Sequence, residues 1–253
     1  MTWTQFAVAV GGGFVAGGIN TLAGNGSAIT LTILTEVLGL SPNVANGTNR
    51  IGVFTQSAAA SRAFWKYGML DLHRDGRYIA LITMGAIFGV WTATQVSNAQ
   101  FRSVFSWLMV LMLIVILANP KRWLRPTEMH RRPPMWMAVP LFLALGFYGG
   151  FIQMGMGVFF LAVMVLGARY SLMDANAIKA FVIALYTIIV IAIFHTRGLI
   201  DWRVGVVMAI GQTAGGWLTA TYASQWPRAN VWAHRLLVIM VLLAVAKLFG
   251  LIG

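Results

Sequence analysis

Long stretches of this chain carry no Asp, Glu, Lys or Arg: residues 1–35, 78–101, 103–120, 133–168, 180–196 and 204–227. A helix needs about 20 apolar residues to cross the hydrocarbon core of a bilayer, and these runs are close to that length or above it. They do not alternate between apolar and polar residues, which argues against the strands of a membrane barrel. In lipid every backbone N–H and C=O must be satisfied within its own segment, which leaves helices. The composition agrees. Of 253 residues, 59% are hydrophobic and 9% charged, with a mean hydropathy of +0.78, against roughly a quarter charged in soluble domains. The expected class is an all-α polytopic membrane protein whose first partner is the lipid bilayer.

The formal net charge of +12 does not point to nucleic acid, because the basic residues cluster in short links. Arg62, Lys66, Arg74 and Arg77 form one cluster; Lys121, Arg122, Arg125, Arg131 and Arg132 form another. This is the distribution of the positive-inside rule. The absence of cysteine excludes disulfides, thiolate metal sites and cysteine nucleophiles. No basic segment precedes the first apolar run, which is expected to be retained as structure.

The chain also repeats itself. "GFVAGG" (13–18) answers "GFYGGF" (146–151), "AGNGS" (23–27) answers "MGMGV" (154–158), and "SPNVANGTN" (41–49) answers "SLMDANAIK" (171–179). "KYGMLDLHR" (66–74) answers "TRGLIDWRV" (196–204), and "GAIFGVWTAT" (85–94) answers "GQTAGGWLTAT" (211–221). Order is kept and the offset drifts smoothly. The expected organisation is a first repeat over 1–118, a basic, proline-rich linker over 119–135 and a second repeat over 136–253. Segments are expected at 4–22, 26–39, 43–65, 77–97 and 101–118, then at 136–153, 157–169, 174–195, 201–222 and 231–250. The second segment of each copy is too short to span, so each copy opens with either two short crossings or a re-entrant hairpin. Either count is odd, which inverts the second copy and gives about 8–10 transmembrane or re-entrant helices, a plan of secondary transporters. Counting basic residues then puts the central loop in the cytoplasm and both termini outside.

Each short segment follows a Gly-x-Gly break, at Gly24-Asn25-Gly26 and Gly155-Met156-Gly157. Non-helical backbone at membrane depth persists only where it is buried in protein or lines a cavity. A helix N-terminus facing that cavity is an anion site. Asn20, Gly24, Asn25, Gly26 and Ser27 of the first copy, and Gln153, Gly155 and Gly157 of the second, are the expected substrate residues. The competing reading is close helix packing, which is preferred for Gly85/Gly89 and Gly211/Gly215. Arg50, with Thr48 and Asn49 beside it, and Lys179 at the matching place carry charge inside apolar segments, by default a functional signal. Snorkelling to the headgroups is the alternative. Glu36 is the acid flanked by long apolar sequence and is the candidate proton-coupling group. Asp71 and Asp201 follow matched Gly turns and are expected to cap the next helices. No metal spacing or nucleophile–base pair is visible, so no cofactor, no metal and no enzymatic activity are expected.

With these motifs in view, the chain resembles the sulfite exporter TauE/SafE family. The residues that carry the likeness are the Gly-rich hairpin and small-residue motif "GGINTLAGNGSAITLTILTEVLGLSPNVANGTN" and the turns "GMLD" and "GLID". The chain departs from the family's fuller glycine run through Asn25 and Met156, and from its second "A-x-G-T-s" motif through "ANAIK", which brings in Lys179. The resemblance implies two homologous halves in a bacterial cytoplasmic membrane and secondary transport of a sulfur-containing anion such as sulfite or a sulfonate, by alternating access. Rival readings are a transporter of another small organic or inorganic anion, a channel, or a non-transporting membrane scaffold; a homodimer is compatible with the sequence.

Overall fold

The computed structural model describes residues 1–95 and 134–248, apart from Ile152 and Met154, and every regular element in them is helical. Helix α1 covers Trp3–Ala23, and α2 covers Gly26–Thr32 and runs on into a π-helical turn, Ile33–Val37. They are followed by α3, Pro42–Lys66, and α4, Leu72–Ala93. The series then recurs as α5, Met135–Phe151; α6, Met156–Ala162, with its own π-helical turn, Val163–Gly167; α7, Leu172–Thr196; and α8, Trp202–Gln225. Helix α9, Ala229–Leu248, closes the described chain. The expected fifth segment at 101–118 and nearly all of the linker at 119–135 lie outside the described residues. The other expected segments match observed helices to within a few residues.

Local chemistry accounts for the ends. Thr2 and Gln5 form a reciprocal capping box at the start of α1. Ser171 accepts from the Asp174 N–H at the start of α7, and Asp201 accepts from the Val204 N–H at the start of α8, as expected of Asp201. The two copies also share their turns: Gly68 and Gly198 take φ of +69° and +66°, the left-handed conformation that glycine adopts without steric cost.

Among the described residues, three stretches are long and apolar enough to cross a membrane by themselves: Trp3–Ala23, Asp75–Ala93 and Leu172–Thr196. Helix α3 is as long as α7, at 25 residues, but carries Asn46, Asn49, Arg50, Gln56, Ser57 and Ser61, all buried. Polar side chains lie inside beside an apolar core, and large apolar ones lie outside. Asn20, Asn25, Lys179 and Gln212 are also buried, while Phe88, Trp91, Ile210 and Tyr222 are more than half exposed. Lipid is as apolar as Leu, so apolar side chains gain little by turning inward, and polar ones gain partners.

Close packing through glycine holds the helices. A Cβ on Gly211 or Gly215 of α8 would lie 2.0 Å from the carbonyl oxygen of Val10 or Phe14 of α1. On Gly85 or Gly89 of α4 it would lie 2.1 or 2.0 Å from that of Leu143 or Phe147 of α5. The small-residue faces expected at these four positions are therefore packing faces. Their register also sets direction: residue numbers rise together along α1 and α8, and along α4 and α5, so each pair is parallel. Helix α2 runs back along α1, with Gly26 against Ala16, Ile33 against Gly12 and Val37 accepting from Gln5.

The fourth helices are exchanged between the copies. Helix α8 packs chiefly on α1 and α3, and α4 chiefly on α5. The spatial units are therefore α1–α2–α3–α8 and α4–α5–α6–α7, which meet mainly along α3 and α7. A separate small core of Ala9, Ile33, Leu34, Ala45, Val204 and Met208 belongs wholly to the first unit.

Candidate functional site

The two breaks meet. A Cβ on Gly24 would lie 2.3 Å from the Gly157 carbonyl carbon, and one on Gly157 would lie 2.3 Å from the Gly24 Cα. Gly24 ends α1 with φ +77°, and Gly155 precedes α6 with the same φ of +77°. The chain thus brings the starts of α2 and α6 together from opposite units, with backbone against backbone. Only residues without a side chain permit this approach.

A helix that stops inside a bundle leaves carbonyls unpaired at its C-terminus. Here the cations answer them, and they do so crosswise. Lys179 of α7 donates through Nζ to the carbonyls of Asn20 (2.8 Å) and Thr21 (3.0 Å) at the end of α1, and to Asn176 Oδ1 (2.5 Å). Its three protons are used. Arg50 of α3 donates to the Gly149 carbonyl (3.0 Å) and Gln153 Oε1 (2.7 Å) through Nη1. Through Nη2 it donates to the Gly150 carbonyl (3.3 Å) and Asn46 Oδ1 (3.4 Å). Its guanidinium also sits 5.8 Å from the Phe194 ring. Both side chains are buried, Arg50 fully and Lys179 to 2% exposure. Each unit therefore caps the broken helix of the other, with a cation placed at the negative end of a helix dipole. Snorkelling is ruled out for both. Every hydrogen-bond partner of either cation among the described residues is a neutral oxygen.

Polar groups gather around the first break. Thr30 Oγ1 donates to Asn49 Oδ1 (2.7 Å) and lies 3.2 Å from the Ser27 carbonyl, tying α2 to α3. Gln212 Nε2 approaches the same Asn49 oxygen at 3.5 Å. Asn20 donates to Gln56, and Gln56 in turn to Thr21. Several buried atoms have no partner among the described residues: both polar atoms of the Asn25 side chain, Ser27 Oγ, Asn49 Nδ2, Arg50 Nε and Thr187 Oγ1 on α7.

The structure thus brings together Asn20, Gly24, Asn25, Gly26, Ser27, Asn49, Arg50, Gln153, Gly155, Gly157 and Lys179. Two of the expected residues fall elsewhere. Thr48 points to the turn between α7 and α8, where its hydroxyl accepts from the Asp201 N–H (2.9 Å). Glu36 lies exposed at the far end of α2 and accepts from Thr35. Sequence reasoning passed over Asn46 and Asn176, which hold the two cations. Their signal was present in the matched "SPNVAN" and "SLMDAN". It also missed Gln56 and Gln212, whose signal is an amide inside an apolar run. Asp75 was missed too: it is buried at the start of α4 and accepts from the Tyr170 hydroxyl (2.5 Å).

The sequence profile of the family described as "Sulfite exporter TauE/SafE" matches residues 9–248. A protein of Sinorhizobium sp. called probable membrane transporter protein ORF9 is 26% identical over 211 residues, covering 83% of this chain and 80% of its own. A probable membrane transporter protein of Haemophilus influenzae is 28% identical over 211 residues, covering 82% and 81%. One from Xylella fastidiosa is 23% identical over 232 residues, covering 89% and 87%. No solved structure matches the chain.

Proposed function

The chain belongs to the sulfite exporter TauE/SafE family, a family of multi-pass membrane transporters rather than enzymes, and we propose that it exports a small sulfur-containing anion such as sulfite or an organosulfonate. The membrane is then the cytoplasmic one, with the central loop on the cytoplasmic side.

One observation carries this reading. Arg50 and Lys179 are buried, and neutral oxygens are their partners among the described residues. A desolvated cation without a countercharge is costly, and an anion entering between the breaks would supply the missing charge. Two helices also begin there, and their N-termini favour negative charge. Helices α2 and α6 are matched down to the π-helical turn that follows each.

The exchanged fourth helices specify what moves. Parallel pairs locked by glycine against carbonyl form stiff units, so alternating access is a rocking of α1–α2–α3–α8 against α4–α5–α6–α7. Sequence halves are not the moving bodies. Both cation contacts and the Gly24–Gly157 contact cross between these units, and they lie at the pivot. Helix α3 also runs parallel to α8, with Ile51 against Gly205, Gly52 against Gln212 and Gln56 against Gly216, and turns back tightly into α4, so α1 and α5 point in opposed directions, which supports an inverted arrangement of the two copies.

Counterflow in proteoliposomes tests the function. Vesicles preloaded with sulfite or methanesulfonate are expected to accumulate the labelled anion saturably, and those holding Arg50→Gln are not. Equal flux from both proteins, or no flux of any sulfur anion, would overturn the reading.

A further inference from the structure

The matched breaks differ in chemistry, and the difference is confined to one unit. Asn25, Ser27 and Thr30 around the start of α2 answer to Met156, Val158 and Leu161 around the start of α6. Asn25, Ser27 and Asn49 are at most 2% exposed and leave polar atoms without a partner among the described residues. A buried, unpaired amide or hydroxyl costs about 1–3 kcal/mol in proteins. Ser27 and Asn49 are tied together through Thr30 and Asn25 is the N-cap of the same helix, so the three form more than a stray defect. All three lie on the first unit, on α2, its cap and α3. Across the Gly24–Gly157 contact the second unit presents the start of α6, where Met156 and Val158 are fully buried and Met156 packs against Gly149 of its own unit.

We propose that the anion is bound one-sidedly. Its oxygen-rich head is held by Asn25, Ser27 and Asn49 at the N-terminus of the 12-residue helix Gly26–Val37, while its remaining surface lies against the start of α6, which carries no polar side chain at the matched positions 156 and 158. The ligand class that follows is an anion with one charged head and a short apolar body, in preference to a symmetric oxyanion such as sulfate. The head stays with the first unit as the units rock, and the apolar side slides. This inference rests on the anion-transport reading and narrows it.

The test separates a group kept for a ligand from one kept for the fold. Removing an unpartnered hydroxyl or amide leaves nothing behind unpaired, so Ser27→Ala and Asn25→Ala should unfold in detergent at the wild-type temperature or above it. Both should bind methanesulfonate and propanesulfonate, followed calorimetrically, roughly tenfold more weakly, the size of one hydrogen bond to a charged group. Thr187→Val removes an orphaned hydroxyl of the second unit, on α7 and outside the proposed seat, and should leave affinity unchanged. The wild type should bind propanesulfonate more tightly than sulfite or sulfate. If the wild type binds anions and Ser27→Ala and Asn25→Ala bind them equally well, the one-sided seat is wrong and anion transport stands. The seat is equally wrong if both variants lose affinity together with thermal stability, or if sulfate binds as tightly as propanesulfonate. If the wild type binds none of these anions, both readings fall.

Discussion

The two glycine breaks have the same backbone and different side chains. Each has a glycine at φ +77°, a short α-helix of 7 residues and a π-helical turn of 5. Each leaves a broken helix whose last carbonyls are capped by a cation from the other unit. Around the first break the side chains are amides and hydroxyls, several without a partner among the described residues; around the second the matched positions are Met156, Val158 and Leu161, and the oxygen of the Gln153 amide is taken up by Arg50 and Tyr186. The repeat thus keeps the geometry that lets two units meet, while chemistry is free to diverge on each side. Geometry is needed twice, because each unit braces the other. A head-group seat is needed once.

The comparison breaks most violently at the shared contact. Gly24→Ala and Gly157→Ala each place a methyl 2.3 Å from backbone of the opposite unit, where no flexible side chain can yield. Both are expected to cost more than the roughly 1–3 kcal/mol of ordinary overpacking, seen as loss of folded protein on size-exclusion chromatography. A tolerated substitution at either glycine would show that the breaks do not meet.

Next come the crosswise caps. Arg50→Gln strands the Gly149 and Gly150 carbonyls and part of Gln153 and Asn46, and should cost about 3 kcal/mol. Lys179→Gln strands fewer acceptors and should cost about 2 kcal/mol. Thermal unfolding in detergent ranks them, and the reverse order would mean that the second break relies on its cap less than the first.

Making the second break polar sharpens the contrast. Met156→Asn with Val158→Ser adds polar groups at two fully buried apolar positions, at a cost of about 2 kcal/mol, with no gain in anion affinity by calorimetry. A gain would mean that both breaks are able to seat an anion. The smallest effect is expected at Glu36, exposed and remote from the pivot. Glu36→Gln should change stability by less than about 0.5 kcal/mol and leave flux under an imposed pH gradient unaltered; a flux that loses its pH response would restore this residue as the coupling group.

Much of this architecture was legible because membranes impose a simple grammar. Uncharged runs gave the helices and their ends to within a few residues, and the paired motifs gave the repeat. The Gly-x-Gly breaks stood out because each interrupts a run too long for one span and too short for two. Arg50 and Lys179 stood out because a charge in an apolar helix is expensive. Their partners were not legible. Lys179 reaches carbonyls of residues 159 and 158 positions away, and Arg50 those of residues 99 and 100 positions away, and a carbonyl is the same in every residue. Thr48 illustrates the limit from the other side. It sits beside Asn49 and Arg50 in sequence, but successive helical residues point about 100° apart, and its hydroxyl serves the turn at Asp201 instead.

The sequence alone therefore determined that this chain is helical, lives in lipid, repeats and breaks twice, since each of these follows from local hydrophobicity, charge and glycine. Only the tertiary structure decided which helices travel together, that the breaks touch, and that each cation braces the opposite unit. Those outcomes depend on which small residues of one helix fit against which carbonyls of another, and that is settled when the helices dock.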